Sequence, residues 1–463
     1  MSEASNDSRD FRIQAGSGWA GAWKKAAAVG VIGLGLAGFG LTLDAKRFAF
    51  SYLFAFFFFL SLGLGSLFFV VVQHLTKAGW SVTVRRTSEF FMAGLPAFAV
   101  LIIPLIAMMG QLFPWLEHHG EGRHGDKAHA EVALVREAHA ADLHGPQHAP
   151  QGLTTQGLIT QGVPALSSAS RAASNPEAAL EAAKAHEHAK LIEGKKAYLN
   201  KPFFLARNAF YIIVWAALAT WLFKNSTDQD KSKSKQATIN AQTLSPLALA
   251  LFGLTLTFAA FDWLMSLNPA WFSTIFGVQV FAGSVVVALA VLVIVPMSLP
   301  ALKSVVNVEH YHDIGKLLFG FNCFWAYISF SQFFLIWYSN IPEELAYFHM
   351  RWSDNGGTWR NVTIAIAVLH FLIPFWFLIS RNVKRNALGL ISGAVLLIAV
   401  QVVEMYWNVL PNFGPFAPHW LDLACFLGVG GVYLALVFHR MEHFSLVAVG
   451  DPRLDRALHF ENA

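Results

Sequence analysis

Residues 48–72 read FAFSYLFAFFFFLSLGLGSLFFVVV, twenty-five consecutive positions without one Asp, Glu, Lys or Arg. As an α-helix this stretch rises about 37 Å, more than the ~30 Å of a bilayer's hydrocarbon core. It is too long for a barrel strand and shows no strict alternation, which excludes a β-barrel reading. Within hydrocarbon, each such block must satisfy its own backbone hydrogen bonds, and a helix does so. Nine similar blocks lie along the chain, at Ala26–Leu43, Phe90–Phe113, Ala206–Phe223, Leu244–Leu267, Ile275–Met297, Leu317–Tyr338, Val362–Ile379, Leu388–Met405 and Leu421–Phe438. The expectation is an all-α integral membrane fold of ten transmembrane helices.

Composition agrees. Of 463 residues, 55% are hydrophobic and 13% charged, about half the charge of a soluble chain (~25%). The 41 Phe and 15 Trp suit lipid-facing surfaces and interfacial belts. The net charge of +4 is small, and no basic run interleaved with aromatics suggests nucleic acid. Cys323 and Cys425 each sit in an apolar block, with no CxxC and no CxxCH. Cysteine-held iron–sulfur clusters and c-type haem are therefore not expected on this chain. Residues 1–18 are mostly polar and no small-residue cleavage site follows the first apolar block, so that block reads as a retained helix.

Five segments follow: an N-terminal stretch 1–25, spans one to three over 26–113, a long loop 114–203, spans four to ten over 204–439, and a tail 440–463. With the N-terminus inside, the inner segments hold 19 Lys and Arg and the short outer ones four: Lys46, Arg47, Arg351 and Arg360. The positive-inside rule then places both termini in the cytoplasm and the long loop in the periplasm. That loop carries nine of the 18 histidines: His118, His119, His124, His129, His139, His144, His148, His186 and His188. No pair of them has metal-ligand spacing beside a carboxylate on a confidently helical segment, so no metal site is assigned.

Ionisable groups inside hydrocarbon are costly, and each asks for a reason. Asp262 lies near the outer end of span five with Ser266 four residues on; it reads either as a helix-packing group or as a proton-binding carboxylate. Gln401 and Glu404 share a face of span nine, and Asn408 continues it. His370 lies mid-span, four residues before Pro374, whose missing N–H leaves the carbonyl of residue 370 bare. In span seven, Asn322, Ser329 and Gln332 share one face, and His312 and Asp313 stand at its inner entrance. The stripe reads either as inter-helix hydrogen bonding or as an aqueous route of about 28 Å. Trp271, between spans five and six, fits an interfacial belt, and Ser273 or Thr274 can cap span six. Gly63, Gly65, Gly277 and Gly283 permit close helix contact. Gly33, Gly35, Gly38 and Gly40 lie inside a helix, where no phosphate cradle forms.

Two stretches carry a resemblance. Residues 261–269, FDWLMSLNP, run on to 271–277, WFSTIFG; residues 312–319, HDIGKLLF, are followed by Phe330-Ser331-Gln332 and by 337–344, WYSNIPEE. Together they resemble the F subunits of bacterial alternative complex III, over roughly residues 47–113 and 198–387; the histidine-rich loop has no counterpart. The resemblance implies an NrfD-like membrane subunit of a quinol:cytochrome c, or quinol:other-acceptor, oxidoreductase. It implies two four-helix bundles, spans 2–5 and 6–9, flanked by spans 1 and 10. It also implies a bacterial inner membrane location. Haem and iron–sulfur centres would belong to partner subunits: a multihaem cytochrome, an iron–sulfur protein, an NrfD-like quinol-binding subunit and small membrane subunits. A terminal oxidase is a further partner, and menaquinol or ubiquinol would serve the complex. The expected role is structural and proton-conducting, with no cofactor on this chain and no catalysis by it alone. Protons would enter at His312 and Asp313, pass Asn322, Ser329 and Gln332, be assisted by His370, and leave by Asp262, Gln401 and Glu404. Two alternatives stay open: a quinol-binding subunit of the same complex, and a pure scaffold.

Overall fold

A computed structural model describes residues 11–119, 190–353 and 357–461. The chain forms two compact units, Met1–Phe113 with Phe204–Ala463, and Pro114–Phe203. Its described residues form helices and turns, with no strand among them.

Ten helices are long and apolar enough to cross a membrane: α1 (Ala22–Leu43), α2 (Ala45–Leu75), α3 (Val82–Ala107), α4 (Lys201–Ser232), α5 (Lys235–Leu267), α6 (Phe276–Ser298), α7 (Val308–Ser339), α8 (Thr358–Leu378), α9 (Ala387–Asn412) and α10 (Trp420–His443). The protein is therefore a multi-pass all-α membrane protein. The helices overrun the apolar blocks. α4 continues nine residues beyond Phe223, and α5 starts nine before Leu244. A helix that leaves hydrocarbon keeps its own hydrogen bonds, so it stops only at a backbone break. Here that break is Lys233, at φ 50°. α3 breaks into short turns around Pro96 and Pro104, where the backbone N–H is missing.

α2 is the centre of the first unit. It packs on α3 and α5, and these with α4 make the first bundle; α6, α7, α8 and α9 make the second. α4 is tied to α3 by Arg86–Asp230 and to α5 by a Trp215–Thr255 hydrogen bond of 2.8 Å. α2 against α6 joins the bundles, and a Cβ on Gly65 would lie 1.9 Å from the Ser284 carbonyl, so only glycine permits that approach. α1 lies along α10 at the flank, with Gly30 and Gly33 against Gly431 and Gly428. The Phe run of α2 departs from expectation. Phe48 to Phe59 are buried among α3, α5, α9 and α10, not turned to lipid. Lipid tails and a protein interior are equally apolar, so hydropathy cannot separate them. The largest group of outward aromatics is on α7: Tyr327, Phe330, Phe334, Trp337 and Tyr338, with others such as Phe39, Phe210 and Trp376 on α1, α4 and α8.

The Trp19 indole donates to the Ser298 carbonyl at 3.1 Å, and the Leu446 N–H to the Phe11 carbonyl at 2.9 Å. The start of α1 and the ends of α6 and α10 therefore share one face, called here the terminal face; the opposite one is the far face.

The second unit contains a 3-10 turn at Pro114–His119 and a short helical stretch over 190–194 followed by turns to 198, with Ile192 and Leu199 buried. His124, His129, His139, His144, His148, His186 and His188 lie outside the described residues.

Candidate functional site

α9 supplies the central group. Asn386 starts this helix by accepting the Gly389 N–H at 3.0 Å. Its one polar face, Gln401, Glu404 and Asn408, then turns inward, and all three are buried. Glu404 is 2% exposed, so its carboxyl lies inside the protein although it stands near a helix end. Its Oε1 accepts the Trp325 indole N–H at 2.9 Å and the Gln279 side-chain N–H at 3.2 Å. Its Oε2 has no hydrogen-bond partner among the described residues and stands 3.4 Å from His370 Nδ1.

α8 supplies His370. The helix widens into a π-turn over Ala367–Leu372, immediately before Pro374. A proline without an N–H is accommodated by such a change of hydrogen-bond register, and π-turns recur at functional positions. The imidazole is fully buried, stacks on the Trp325 indole with centroids 3.7 Å apart, and neither ring nitrogen has a hydrogen-bond partner among the described residues.

Beside this dyad lies a cavity of about 470 Å³. Its polar lining is Glu404, Gln279, Gln332, Ser329 and Thr363; the rest is aliphatic and aromatic, including Phe330, Phe333, Phe348 and Phe371. A short helix, Pro342–Trp352, closes it on the far-face side. Tyr347 donates to Asn408 Oδ1 at 3.0 Å and stacks on Trp271 at 4.0 Å. Arg351 lies over the Tyr347 ring at 3.5 Å and donates to the Asn408 carbonyl at 3.0 Å. Burial pushes the Tyr347 phenol up to about 12 and the Arg351 guanidinium down to about 10, the latter opposed by Tyr347. Trp271 is thus an inward stacking partner of Tyr347, not an interfacial anchor. α6 has no side-chain cap from Ser273 or Thr274.

The remaining sequence-derived candidates separate into five places. Ser329 and Gln332 line the cavity, each with a buried oxygen that has no partner among the described residues. Gln401 lies behind Glu404 against Gly283. Asn322 is fully buried on α7, its amide oxygen and nitrogen both unpartnered among the described residues. His312 and Asp313 are at the terminal-face end of α7, where Asp313 pairs with Lys316 and Glu309 with Arg385 at 2.6 Å. Between His312 and Asn322 the helix rises about 15 Å, and the residues it buries there are Ile314, Gly315 and Leu318. Asp262 stands apart, in the first bundle. Arg207 Nε and Nη2 meet its two oxygens at 2.9 and 2.7 Å, and Tyr211 donates at 2.8 Å. Ser266 bonds the main-chain carbonyl of Asp262, not its carboxylate.

Sequence reasoning missed Arg207 because it opens an apolar block and reads as a flanking charge. The available signal was depth: Arg207 is six residues from the start of α4 and Asp262 five from the end of α5, and those helix ends share the far face. A second omission is a largely buried charge cluster toward the terminal face. Arg85 and Arg86, which precede the apolar block that starts at Phe90, lie in α3 and meet Glu89, with Arg85 Nη2 also 3.0 Å from Asp451 and Arg86 Nη2 2.8 Å from Asp230. Burial alone would raise the Asp451 carboxyl, but hydrogen bonds from Arg453 and the charges of Arg85 and Arg453 hold it well below the usual carboxylate range. Arg47, read as an outer loop charge, is buried against Asp422, which also accepts the Ser51 hydroxyl at 2.6 Å.

Both cysteines are free thiols, and no group of three His, Cys, Asp or Glu among the described residues could hold a metal ion. No family model matches the chain, and no curated protein matches it.

Proposed function

We propose that this chain is a membrane subunit of a quinol:acceptor oxidoreductase of the alternative complex III type, and that Glu404 is its proton-handling station. The complex-level part rests on the FDWLMSLNP, WFSTIFG and HDIGKLLF stretches. In this reading the chain lies in a bacterial inner membrane, with the terminal face, which carries most of the Lys and Arg, toward the cytoplasm. Haem and iron–sulfur centres reside on partner subunits, and quinol oxidation is their work together.

One observation supports the proton role above the others: Glu404 and His370, two titratable groups, are buried 3.4 Å apart beside a cavity, with acceptor capacity left over. An intramembrane carboxylate of this kind is expensive unless it is used. Trp325 and Gln279 both donate to Oε1, so the oxygen left to take a proton is Oε2, which faces His370. Ser329 and Gln332 flank the station, and Asn322 lies toward the terminal face. Entry at His312 and Asp313 requires a water chain across the stretch from His312 to Asn322. Asp262 has no part in this route, because Arg207 and Tyr211 occupy both its oxygens.

The test is isolation of the tagged chain from its native membrane. A complex carrying multihaem and iron–sulfur subunits is expected. Glu404→Gln in that complex should assemble and lose at least about tenfold in quinol-driven proton translocation, in line with loss of a proton-transfer group. Recovery without redox partners, or undiminished translocation by the variant, would overturn the proposal.

A further inference from the structure

We infer that His439 and His443, at the terminal-face end of α10, form a two-imidazole binding site for a divalent transition-metal ion of the zinc, nickel or copper class. The site lies apart from the cavity and from Glu404, and it does not depend on the proposed oxidoreductase role.

Spacing comes first. His439 and His443 stand four residues apart in the last turn of α10, so they share one face. Two histidines at this spacing on a helix are a zinc-binding pair in metalloenzymes. Both residues are exposed, and their ring centroids are 4.2 Å apart with 43° between the planes. Two nitrogens on one tetrahedral zinc ion, each about 2.1 Å from it, stand about 3.4 Å apart. Rings this close can present them at that separation.

The position of the ring protons comes next. His443 Nδ1 lies 2.7 Å from the His439 carbonyl oxygen. A carbonyl only accepts, so Nδ1 carries the hydrogen and donates it, and the neutral ring keeps its lone pair on Nε2. Metal-ligating histidines use their other ring N–H in this way, which fixes tautomer and orientation. The His439 ring is set edge-on against the Trp23 indole of α1, with centroids 5.1 Å apart and planes at 79°. The turn beneath both rings is closed by the Phe444 N–H, which donates to the Arg440 carbonyl at 3.0 Å. An ion held by one imidazole therefore meets the second as an intramolecular ligand.

The neighbours narrow the chemistry. Imidazole suits zinc, copper and nickel, whereas magnesium and calcium take oxygen ligands. Residues 439–443 read HRMEH, the H-x-x-E-H order of one class of zinc hydrolase. Here the glutamate turns away, because Glu442 Oε1 accepts the Gly21 N–H at the start of α1 at 3.3 Å. The Arg440 guanidinium also turns away, over the Phe223 ring at 5.5 Å. Two protein ligands leave the remaining positions to water, so the pair is a metal clamp on the last turn of α10 and not a hydrolytic centre.

The full-length chain, purified in detergent without a histidine tag and stripped of metal, is treated with diethyl pyrocarbonate at increasing zinc chloride. Peptide mass spectrometry locates each modified histidine, which separates this pair from the histidines of the long loop. Zinc should shield His439 and His443 together, with one common midpoint, and magnesium at the same concentrations should shield neither. In His443→Asn the midpoint for His439 should rise at least about tenfold, and His439→Asn should do the same to His443. A pair that zinc does not shield, equal shielding by magnesium, or a His439 midpoint unmoved in His443→Asn overturns the inference. Should either variant fail to fold, the zinc and magnesium titrations of the wild-type chain decide alone.

Discussion

Asp262→Asn keeps the outline of the side chain and removes its charge, which makes it a clean probe of the first bundle. In the folded protein the carboxylate takes the Arg207 fork at 2.9 and 2.7 Å and the Tyr211 hydroxyl at 2.8 Å, with Asp262 fully buried. An amide turns one of the two oxygens into a donor, which then faces a donor, and the guanidinium loses its counter-charge. Removing one member of a buried ion pair typically costs about 3–5 kcal/mol, because the other charge stays buried. Replacing both members with apolar residues of similar volume is often neutral. Asp262→Asn should therefore lose about 3 kcal/mol or more, and Arg207→Met with Asp262→Leu should recover most of that loss. The assay is equilibrium unfolding of the full chain in mixed micelles, read by Trp fluorescence, as a double-mutant cycle. A loss in Asp262→Asn below about 1 kcal/mol, or no recovery in the double variant, would refute the pairing argument. In a complex that still assembles, Asp262→Asn should leave proton translocation per assembled complex unchanged.

Two further outcomes follow from the packing and the charges. A Cβ on Gly33 would lie 2.4 Å from the Gly428 backbone nitrogen, so Gly33→Leu should lever α1 away from α10. The expected cost is about 1–3 kcal/mol, seen as faster cross-linking of cysteines placed on the newly exposed face of α10. Asp451 gives the acid response of the terminal face. Its folded carboxyl titrates below the usual range, so the folded state binds that proton less readily than the unfolded one. Its contribution is full above the ordinary carboxylate value of about 3.9 and is lost as pH falls below it. Melting in detergent should drop with acid there, and Asp451→Asn should show a smaller drop from a lower starting point.

The ten helices were legible because hydrocarbon demands uninterrupted apolar blocks, and composition alone reveals those. The inward face of α9 was legible from the spacing of Gln401, Glu404 and Asn408, and the irregular turn of α8 from Pro374. What spacing could not show was that His370 and Glu404 meet, since no local pattern sets α8 against α9. Trp325, which stacks on one and bonds the other, carried no signal at all: an indole in an apolar block reads as packing. The buried charges failed for a different reason. Arg47, Arg85, Arg86 and Arg207 sit near block ends, where a positive charge reads as an interface marker, and only tertiary pairing shows that they are neutralised inside the protein. The burial of the α2 Phe run was illegible because lipid and protein interior offer the same polarity.

In the proposed role, Glu404 changes its proton occupancy as the complex works. Infrared difference spectroscopy of the assembled complex, taken on addition of quinol, reads that directly through the carboxyl C=O band. A protonation-sensitive band is expected that disappears in Glu404→Gln, survives in Asp262→Asn and shifts in His370→Gln. A wild-type spectrum without carboxyl change, or one that Glu404→Gln leaves intact, would contradict it.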